Sequence, residues 1–427
     1  MNTTNNATQC AYKLIPASLA SKHLAQRIRS SRRQPARLGS LAVLVLLTFI
    51  SFVIPDATAQ VTLSTMAGPW QGSLFVDGPA TQPQGCGLET MSIVFPSQWG
   101  FSDGLGYGFS NDQSTGCGFY EDEDFLMFTG GSAYLATNGK ALAYLQIGVP
   151  ELQQHYLNIQ VSPNSQVFNM VDVTDPGYYY EGTAIAQPRA PVAVSQLAGN
   201  WQASLMIDGG CGLGTKLVNF NLNVGGVGTA TAQYHTPECG NNEERGTIEV
   251  TSLNTDGTGN GSGTAQLIFG ESTVFNFSIQ VSPNGQVIDM VEADISSGNY
   301  EEGLAIRQGP VTSSQLLGNW QASLVIDGGC GLGTKLVDFN LNSINSGGFA
   351  SGTATAHYST PGCGKNVQTG VIEVNPDQYG PGSGTAILVF GASEFIFQIQ
   401  ASANGQVMNL VDISGPGNYD EGSAIRQ

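Results

Sequence analysis

The sequence predicts an all-β protein of three tandem β-barrel-like domains, each built from eight antiparallel strands in up-and-down order. A Gly-x-Trp phrase opens three similar units, at Trp70, Trp201 and Trp320. Within each unit apolar and polar residues alternate, as in strands with one buried and one wet face, and no stretch keeps a helical period. Two cysteines per unit fall where neighbouring loops of such a barrel meet.

The second unit shows the strand pattern most clearly. Trp201, Ala203, Leu205 and Ile207 share one face of its first strand. Seven further strands are predicted around residues 218–222, 229–234, 248–250, 265–269, 275–281, 287–292 and 300–307. Short turns join them, including the hairpin signal Asn284-Gly285. A meander of this kind closes into a barrel and loses its free edges. A pair of packed sheets, a Greek-key β-sandwich, is the alternative.

Proline-bearing joints divide the chain into independent units, which we expect to behave as beads on short, semi-stiff linkers. The predicted divisions are a signal peptide at 1–59, repeat 1 at 60–187, a linker at 188–194, repeat 2 at 195–308, a linker at 309–313 and repeat 3 at 314–427. Repeats 2 and 3 are close copies, and repeat 1 has diverged.

The first 59 residues have the order basic, apolar, small that marks a secretory signal. Seven basic residues precede the apolar run 41–54, and Ala57-Thr58-Ala59 offers a cleavage site. A run of 14 residues is shorter than the roughly 20 that span a bilayer as a helix. We therefore expect export to the periplasm, cell surface or medium, with no membrane span after removal of the signal. Retention of the signal as an anchor is the alternative.

Strong acidity bounds the possible partners. Without residues 1–59 the chain has 8 basic and 32 acidic residues, a net charge of −24. Nucleic acid binding needs a basic footprint, so nucleic acid is excluded as a partner. An unidentified extracellular or surface ligand is the expected partner.

Six cysteines remain after removal of the signal, which takes Cys10 with it. An even number in an exported chain predicts disulfides within each unit. The expected pairs are Cys86–Cys117, Cys211–Cys239 and Cys330–Cys363. Each joins the loop after the first strand to the loop after the third, because those loops lie at the same barrel end.

The Gly-x-Trp phrase resembles the signature of the lipocalin and avidin superfamily, the calycins. That resemblance implies a basic residue on the last strand that packs over the tryptophan and closes the barrel. Arg307 and Arg426 stand at this place for Trp201 and Trp320, as a cation–π pair. Ala186 stands there for Trp70, so the closure is in doubt in repeat 1. No biotin-binding residues can be placed.

Recurring tyrosine and glutamate residues near the start of each last strand are the candidate ligand site, at a barrel mouth. They are Tyr180, Glu181, Tyr300, Glu302, Tyr419 and Glu421. A calcium-binding carboxylate cluster and the paired carboxylates of a glycosidase are functional interpretations of such acids. The structural alternatives are acids that cap turns and tyrosines that plug the barrel end.

No histidine recurs between the repeats, so the sequence predicts no catalytic residues, no metal site and no cofactor. The leading hypothesis is a non-enzymatic protein for binding or surface interaction, with avidity from its tandem copies. A carrier of small apolar ligands or sugars inside the barrels is the second hypothesis. A secreted hydrolase that uses acidic residues alone is the third.

Overall fold

The computed structural model describes residues 61–77, 86–95, 105–114, 118–128, 135–136, 138–147, 153–173, 179–208, 212–237, 240–254, 259–270, 273–292, 300–412 and 417–427. The predicted signal peptide, residues 1–59, lies outside these residues. Three closed eight-stranded barrels make up the described chain, and consecutive strands are neighbours in each. The up-and-down barrel is therefore confirmed, and the sandwich alternative is wrong.

Barrel 1 diverges most in sequence, yet it closes in the same order as the other two. Its strands are β1 (Gly68–Asp77), β2 (Cys86–Phe95), β3 (Leu105–Ser114), β4 (Gly118–Phe128), β5 (Lys140–Ile147), β6 (Gln153–Val161), β7 (Val167–Val171) and β8 (Tyr179–Ala186). Strand β1 pairs with both β2 and β8, which closes the barrel.

Barrels 2 and 3 repeat this arrangement after a short 3₁₀ turn, at Val194–Leu197 and Ser313–Leu316. Barrel 2 consists of β9 (Gly199–Asp208), β10 (Gly214–Leu222), β11 (Val227–Thr236), β12 (Gly240–Leu253), β13 (Ser262–Phe269), β14 (Thr273–Val281), β15 (Val287–Glu292) and β16 (Tyr300–Arg307). Barrel 3 consists of β17 (Gly318–Asp327), β18 (Gly333–Ile344), β19 (Ala350–Thr360), β20 (Gly364–Gly380), β21 (Ser383–Phe390), β22 (Ser393–Ala401), β23 (Val407–Asp412) and β24 (Tyr419–Arg426).

The barrel interiors are filled by the apolar faces that the alternation predicts. In barrel 2, Trp201, Phe220, Phe269 and Phe277 belong to one buried cluster, with Phe275 packed against it. Barrels 1 and 3 have corresponding clusters around Trp70 and Trp320. Side chains therefore occupy the interiors, as in other small eight-stranded barrels.

The tryptophan and arginine lie where the sequence places them, but the arginine makes polar contacts. Arg426 is directly opposite Trp320 in the strand register, and its Nη1 donates to the carbonyl of Gln315 in the 3₁₀ turn, at 3.1 Å. The indole N–H of Trp320 donates to the carbonyl of Leu316 at 2.8 Å. In barrel 2, Arg307 and Trp201 make the corresponding bonds to Gln196 and Leu197. The predicted stacking of arginine over indole stays a proposal.

A steric constraint explains why the Gly-x-Trp phrase begins with glycine. Gly318 has φ of +137°, and a Cβ there would lie 3.0 Å from Nε of Arg426. A side chain at this position would therefore push the arginine away from the 3₁₀ turn. Gly199 and Arg307 stand in the same relation in barrel 2, with a distance of 3.1 Å.

The expectation of independent beads is wrong. Residues 56–427 form one compact unit, in which the barrels pack against each other. Phe75, Met206 and Val325, one from each first strand, form a cluster outside the barrel interiors. A second shared cluster contains Val167, Ile185, Val287, Leu304, Ile306, Val407 and Ile425. The first, seventh and eighth strands of the barrels thus bury their outer faces against their neighbours.

In both shared clusters equivalent residues of the three barrels meet, so the barrels lie side by side around an approximate threefold axis. Polar contacts also link each barrel to the next around this axis. Asn169 Nδ2 of barrel 1 donates to the carbonyl of Ser423 in barrel 3, at 3.0 Å. Asn409 Nδ2 of barrel 3 donates to the carbonyl of Leu304 in barrel 2, at 3.3 Å. Ser73 of barrel 1 donates to Asp289 of barrel 2, at 2.9 Å.

The replacement Trp320→Phe tests the role of the indole N–H. We expect it to lower the free energy of unfolding by about 1–3 kcal/mol, because the buried carbonyl of Leu316 loses its donor. Urea unfolding measures the change, and Tyr379→Phe on an exposed tyrosine serves as control. Equal stability of the two variants would contradict the assigned role.

Candidate functional site

Buried lysine–carboxylate pairs lie inside barrels 2 and 3, at the end where the first strand finishes. Nζ of Lys216 on β10 lies 2.7 Å from both carboxylate oxygens of Glu301 on β16. Lys335 on β18 donates in the same way to Asp420 on β24. The exposed fraction of all four side chains is 5% or less. Charges buried to this degree persist only when they are paired.

Aromatic rings surround each buried ammonium group. Nζ of Lys335 lies 4.3 Å from the ring centroid of Phe395 and 5.2 Å from that of Tyr358. In barrel 2, Nζ of Lys216 lies 3.7 Å from the centroid of Phe275. These cation–π contacts add to the attraction of the carboxylate. Burial raises the pKa of Glu301, and the ammonium of Lys216 opposes that shift.

These pairs were missed from the sequence, although a signal for them exists. Lys216 keeps the period-two spacing of Val218 and Phe220, which places it on the interior face of β10. Lys335 repeats that placement with Val337 and Phe339. A charged residue on an apolar face predicts a buried partner.

A cavity of about 230 Å³ lies above the ion pair of barrel 3, at the barrel's mouth. Lys335, Asp420, Tyr358 and Phe395 form its inner part. Amide and carboxylate side chains form its rim, together with the glycine-rich loop after β17. The rim residues are Asp327, Asn366, Gln368 and Asn418. The site therefore combines aromatic surface with several hydrogen-bonding groups.

The predicted disulfide of barrel 3 borders this mouth. Cys330 and Cys363 are bonded, with 5.3 Å between their Cα atoms, and both line the cavity. The bond joins the loop after the first strand to the loop after the third, as predicted. The other predicted pairs, Cys86–Cys117 and Cys211–Cys239, involve residues outside the described ones and stay predictions.

The recurring glutamates are not at a mouth, and they do not cap turns. Glu181, Glu302 and Glu421 point out of their own barrels and are buried where the three barrels meet. Because side chains of a strand alternate between faces, Glu302 and Glu421 lie on the opposite side from the interior carboxylate before each of them, and Glu181 lies on the opposite side from the interior residue Tyr180. Sequence alone could not assign the outer faces of the strands to an interface, because the three domains were expected to be independent and their outer faces exposed to solvent.

The tyrosines also occupy different places from those predicted. Tyr180 fills the interior of barrel 1, and its hydroxyl lies 3.2 Å from Nε2 of His155. The strand register makes Tyr179, one residue earlier, the counterpart of Tyr300 and Tyr419. A shift of one residue reverses the face of a strand. The sequence comparison therefore matched an interior tyrosine with exterior ones.

The exterior tyrosines pack between barrels. Tyr300 of barrel 2 clusters with Leu88 of barrel 1. The ring of Tyr419 in barrel 3 lies 5.1 Å from that of His235 in barrel 2. His235 borders a second cavity, of about 370 Å³, between these two barrels.

Within the described ranges, no group of three or more His, Cys, Asp and Glu side chains has a spacing that could hold a metal ion.

The replacement Lys335→Met breaks the pair of barrel 3 and leaves Asp420 buried without its cation. We expect a loss of about 3–5 kcal/mol in the free energy of unfolding. Adding Asp420→Leu to that variant should recover part of the loss, because no buried charge then remains. Arg245→Ala, which breaks the exposed pair with Glu243, is the control and should cost about 0–1 kcal/mol. A cost for Lys335→Met as small as that control would contradict the account.

Comparisons with known proteins identify no family. No model of a protein family matches the sequence, and no curated protein matches it. Among solved structures, the chain is similar to the isotype 1 transferrin binding protein B from serogroup B Neisseria meningitidis, at 8% identity and a TM-score of 0.27. The match covers 80% of this chain and 66% of that one, so less than two thirds of that protein's length is spanned. A DUF3598-family protein of unknown function from Nostoc punctiforme is similar at 9% identity and a TM-score of 0.18, over 56% of this chain and 100% of that one. At this degree of likeness neither structure carries a functional argument. No helix of the described residues is long and apolar enough to cross a membrane.

Proposed function

We propose that this chain is an exported, non-enzymatic binding protein that takes a small polar ligand at the mouth of barrel 3. The observation that carries the proposal is the cavity of about 230 Å³ lined by Lys335, Asp420, Tyr358 and Phe395. Pockets for drug-sized ligands are larger, about 300–1,000 Å³. A single sugar ring suits this smaller volume. It also suits the lining, because its C–H faces pack on aromatic rings and its hydroxyls pair with amides and carboxylates.

The packed interiors favour a ligand at the mouth over an apolar ligand inside a barrel. The cluster around Trp320 fills the middle of barrel 3, and the ion pair closes the interior above it. An apolar ligand would have to displace both. Within the carrier hypothesis, the geometry therefore supports a sugar as the ligand more than it supports an apolar ligand.

Export has support from two independent features. The order of residues in 1–59 is typical of a secretory signal. The disulfide Cys330–Cys363 is of a kind that persists in oxidising compartments. We propose that the protein is exported to the periplasm, the cell surface or the medium.

A role in surface interaction has support from the arrangement of the barrels. Phe75, Met206 and Val325 occupy equivalent positions and meet. Two residues further on, burial raises the pKa of Asp327 and the nearby charge of Asp208 adds to that shift, so these two strand ends lie close together. The first strands therefore finish on one face of the block. Barrel 2 keeps the buried ion pair and an aromatic ring over its ammonium group, as barrel 3 does, so a target with several copies of a ligand would gain avidity from these two mouths.

Binding of a panel of monosaccharides to residues 61–427 tests the proposal. We expect one of them to raise the melting temperature and to bind in titration calorimetry. Gln368→Ala should weaken that binding about five- to tenfold, because one rim hydrogen bond is lost. Thr369→Ala, on the exposed outer face of the same strand, should leave it unchanged. Absence of binding for the whole panel, or equal binding by the two variants, would overturn the proposal.

A further inference from the structure

Carboxyl groups from all three barrels meet at a small cavity on the axis. Its volume is about 10 Å³, room for about one water molecule. Glu181, Glu302, Glu421 and Asp289 line it, and each has an exposed fraction of 3–4%. Each glutamate comes from a different barrel. Four acids thus share a space that water hardly enters.

The elements packed around this cavity supply hydroxyls and amides in place of cations. The first strands contribute Ser73, Ser204 and Ser323, which lie beside Glu302, Glu421 and Glu181 respectively. The seventh strands contribute Asn169, Asp289 and Asn409, and the eighth strands contribute the glutamates. In the described part of the chain, the lysines and arginines that form ion pairs do so with other acids.

Two carboxyl oxygens of the cluster have no partner among the described residues of the protein. The Oε1 atom of Glu181 and the Oε2 atom of Glu302 are buried without a hydrogen bond. A proton on a carboxyl supplies a donor for a neighbouring oxygen. It also removes a charge whose burial costs several kcal/mol when unpaired.

Asp289 stands at a position where the other two barrels have asparagine. The amides of Asn169 and Asn409 donate to backbone carbonyls of the next barrel. A carboxylate accepts only, whereas a protonated carboxyl group donates as an amide does. Barrel 2 can therefore complete the cycle of donors only when Asp289 carries a proton.

We propose that the axis is a proton-binding site, and that protons on its carboxyl groups hold the three barrels together. Burial is the largest cause that raises the pKa of each of the three glutamates well above its usual value, and neighbouring carboxylates raise it further. Burial also raises the pKa of Asp289 to about 7, against the hydrogen bonds from Ser73 and from the N–H of Met290.

The direction of the pH dependence follows from these shifts. An unfolded aspartate has a pKa of about 3.9, so the unfolded chain releases its proton first as the pH rises. Between about pH 4 and pH 7 the folded state holds the proton of Asp289 and the unfolded state does not. In that window this single group changes the folding equilibrium about tenfold per pH unit, toward the unfolded chain. The glutamates add to the trend in the same sense.

An exchange of aspartate and asparagine between barrels tests the proposal. Urea unfolding at pH 5, 6, 7 and 8 should show stability that falls as the pH rises. Asp289→Asn copies the residue of the other barrels. It should remove a change of about tenfold per pH unit from the pH dependence of the folding equilibrium, and it should be more stable than the parent at pH 8. Asn409→Asp should steepen it. The exposed replacement Glu394→Gln is the control and should leave the slope unchanged.

Three results would overturn the proposal. One is an unchanged slope for Asp289→Asn. Another is a slope for Asn409→Asp equal to that of the parent. The third is recovery of the stability lost at pH 8 on addition of calcium chloride, because the cluster would then bind a cation in place of protons.

Discussion

The structure depends on strands that are buried on both faces. Strands β15 and β23 have every side chain buried, and β9 and β17 are buried over most of their length. One face fills a barrel and the other meets the neighbouring barrels, so no barrel can be removed without exposing apolar surface. The interface is not wholly apolar, since a layer of serines and carboxyls lies between the cluster of Phe75, Met206 and Val325 and the cluster that contains Ile185, Ile306 and Ile425. Apolar burial supplies the attraction, and the polar layer makes it sensitive to protons.

Much of the fold could be predicted because it follows from local rules. Period-two alternation marked the strands, and the Asn284-Gly285 turn has the positive φ that such a hairpin needs, 62° at Gly285. The disulfide Cys330–Cys363 followed from the equivalence of loop ends in a meander. These inferences concern residues near each other in sequence or related by strand order.

The position of the recurring glutamates could not be predicted, because it depends on which outer faces of the barrels meet. Glu181, Glu302 and Glu421 look like surface acids until the outer faces of their strands are known to be buried. The segment Val407–Asp412 carried a usable sign, because Val407 and Met408, and then Leu410 and Val411, put apolar side chains on both faces, and strands buried on both faces lose their alternation. The tyrosine misassignment was avoidable, because Tyr179 has the same two-residue spacing to its glutamate as Tyr300 and Tyr419, whereas Tyr180 does not.

Barrel 1 shows how one repeat can keep its frame and change its interior. The register places Tyr180 where the other barrels have Glu301 and Asp420, and His155 where they have Phe275 and Phe395. Its Tyr180–His155 contact replaces an ion pair within an aromatic cage. The interface positions Ser73 and Glu181 are nevertheless retained. The shared axis constrains the outer faces more strongly than the interior.

Small-angle X-ray scattering of residues 61–427 in solution tests the central claim, that the three barrels form one block. A single compact body of this length should have a radius of gyration of about 21 Å. Three separate barrels on extended linkers would give a clearly larger value, because their centres would lie further apart. A measurement near the smaller value is the predicted result, and one near the larger value would contradict the shared axis and the proposals built on it.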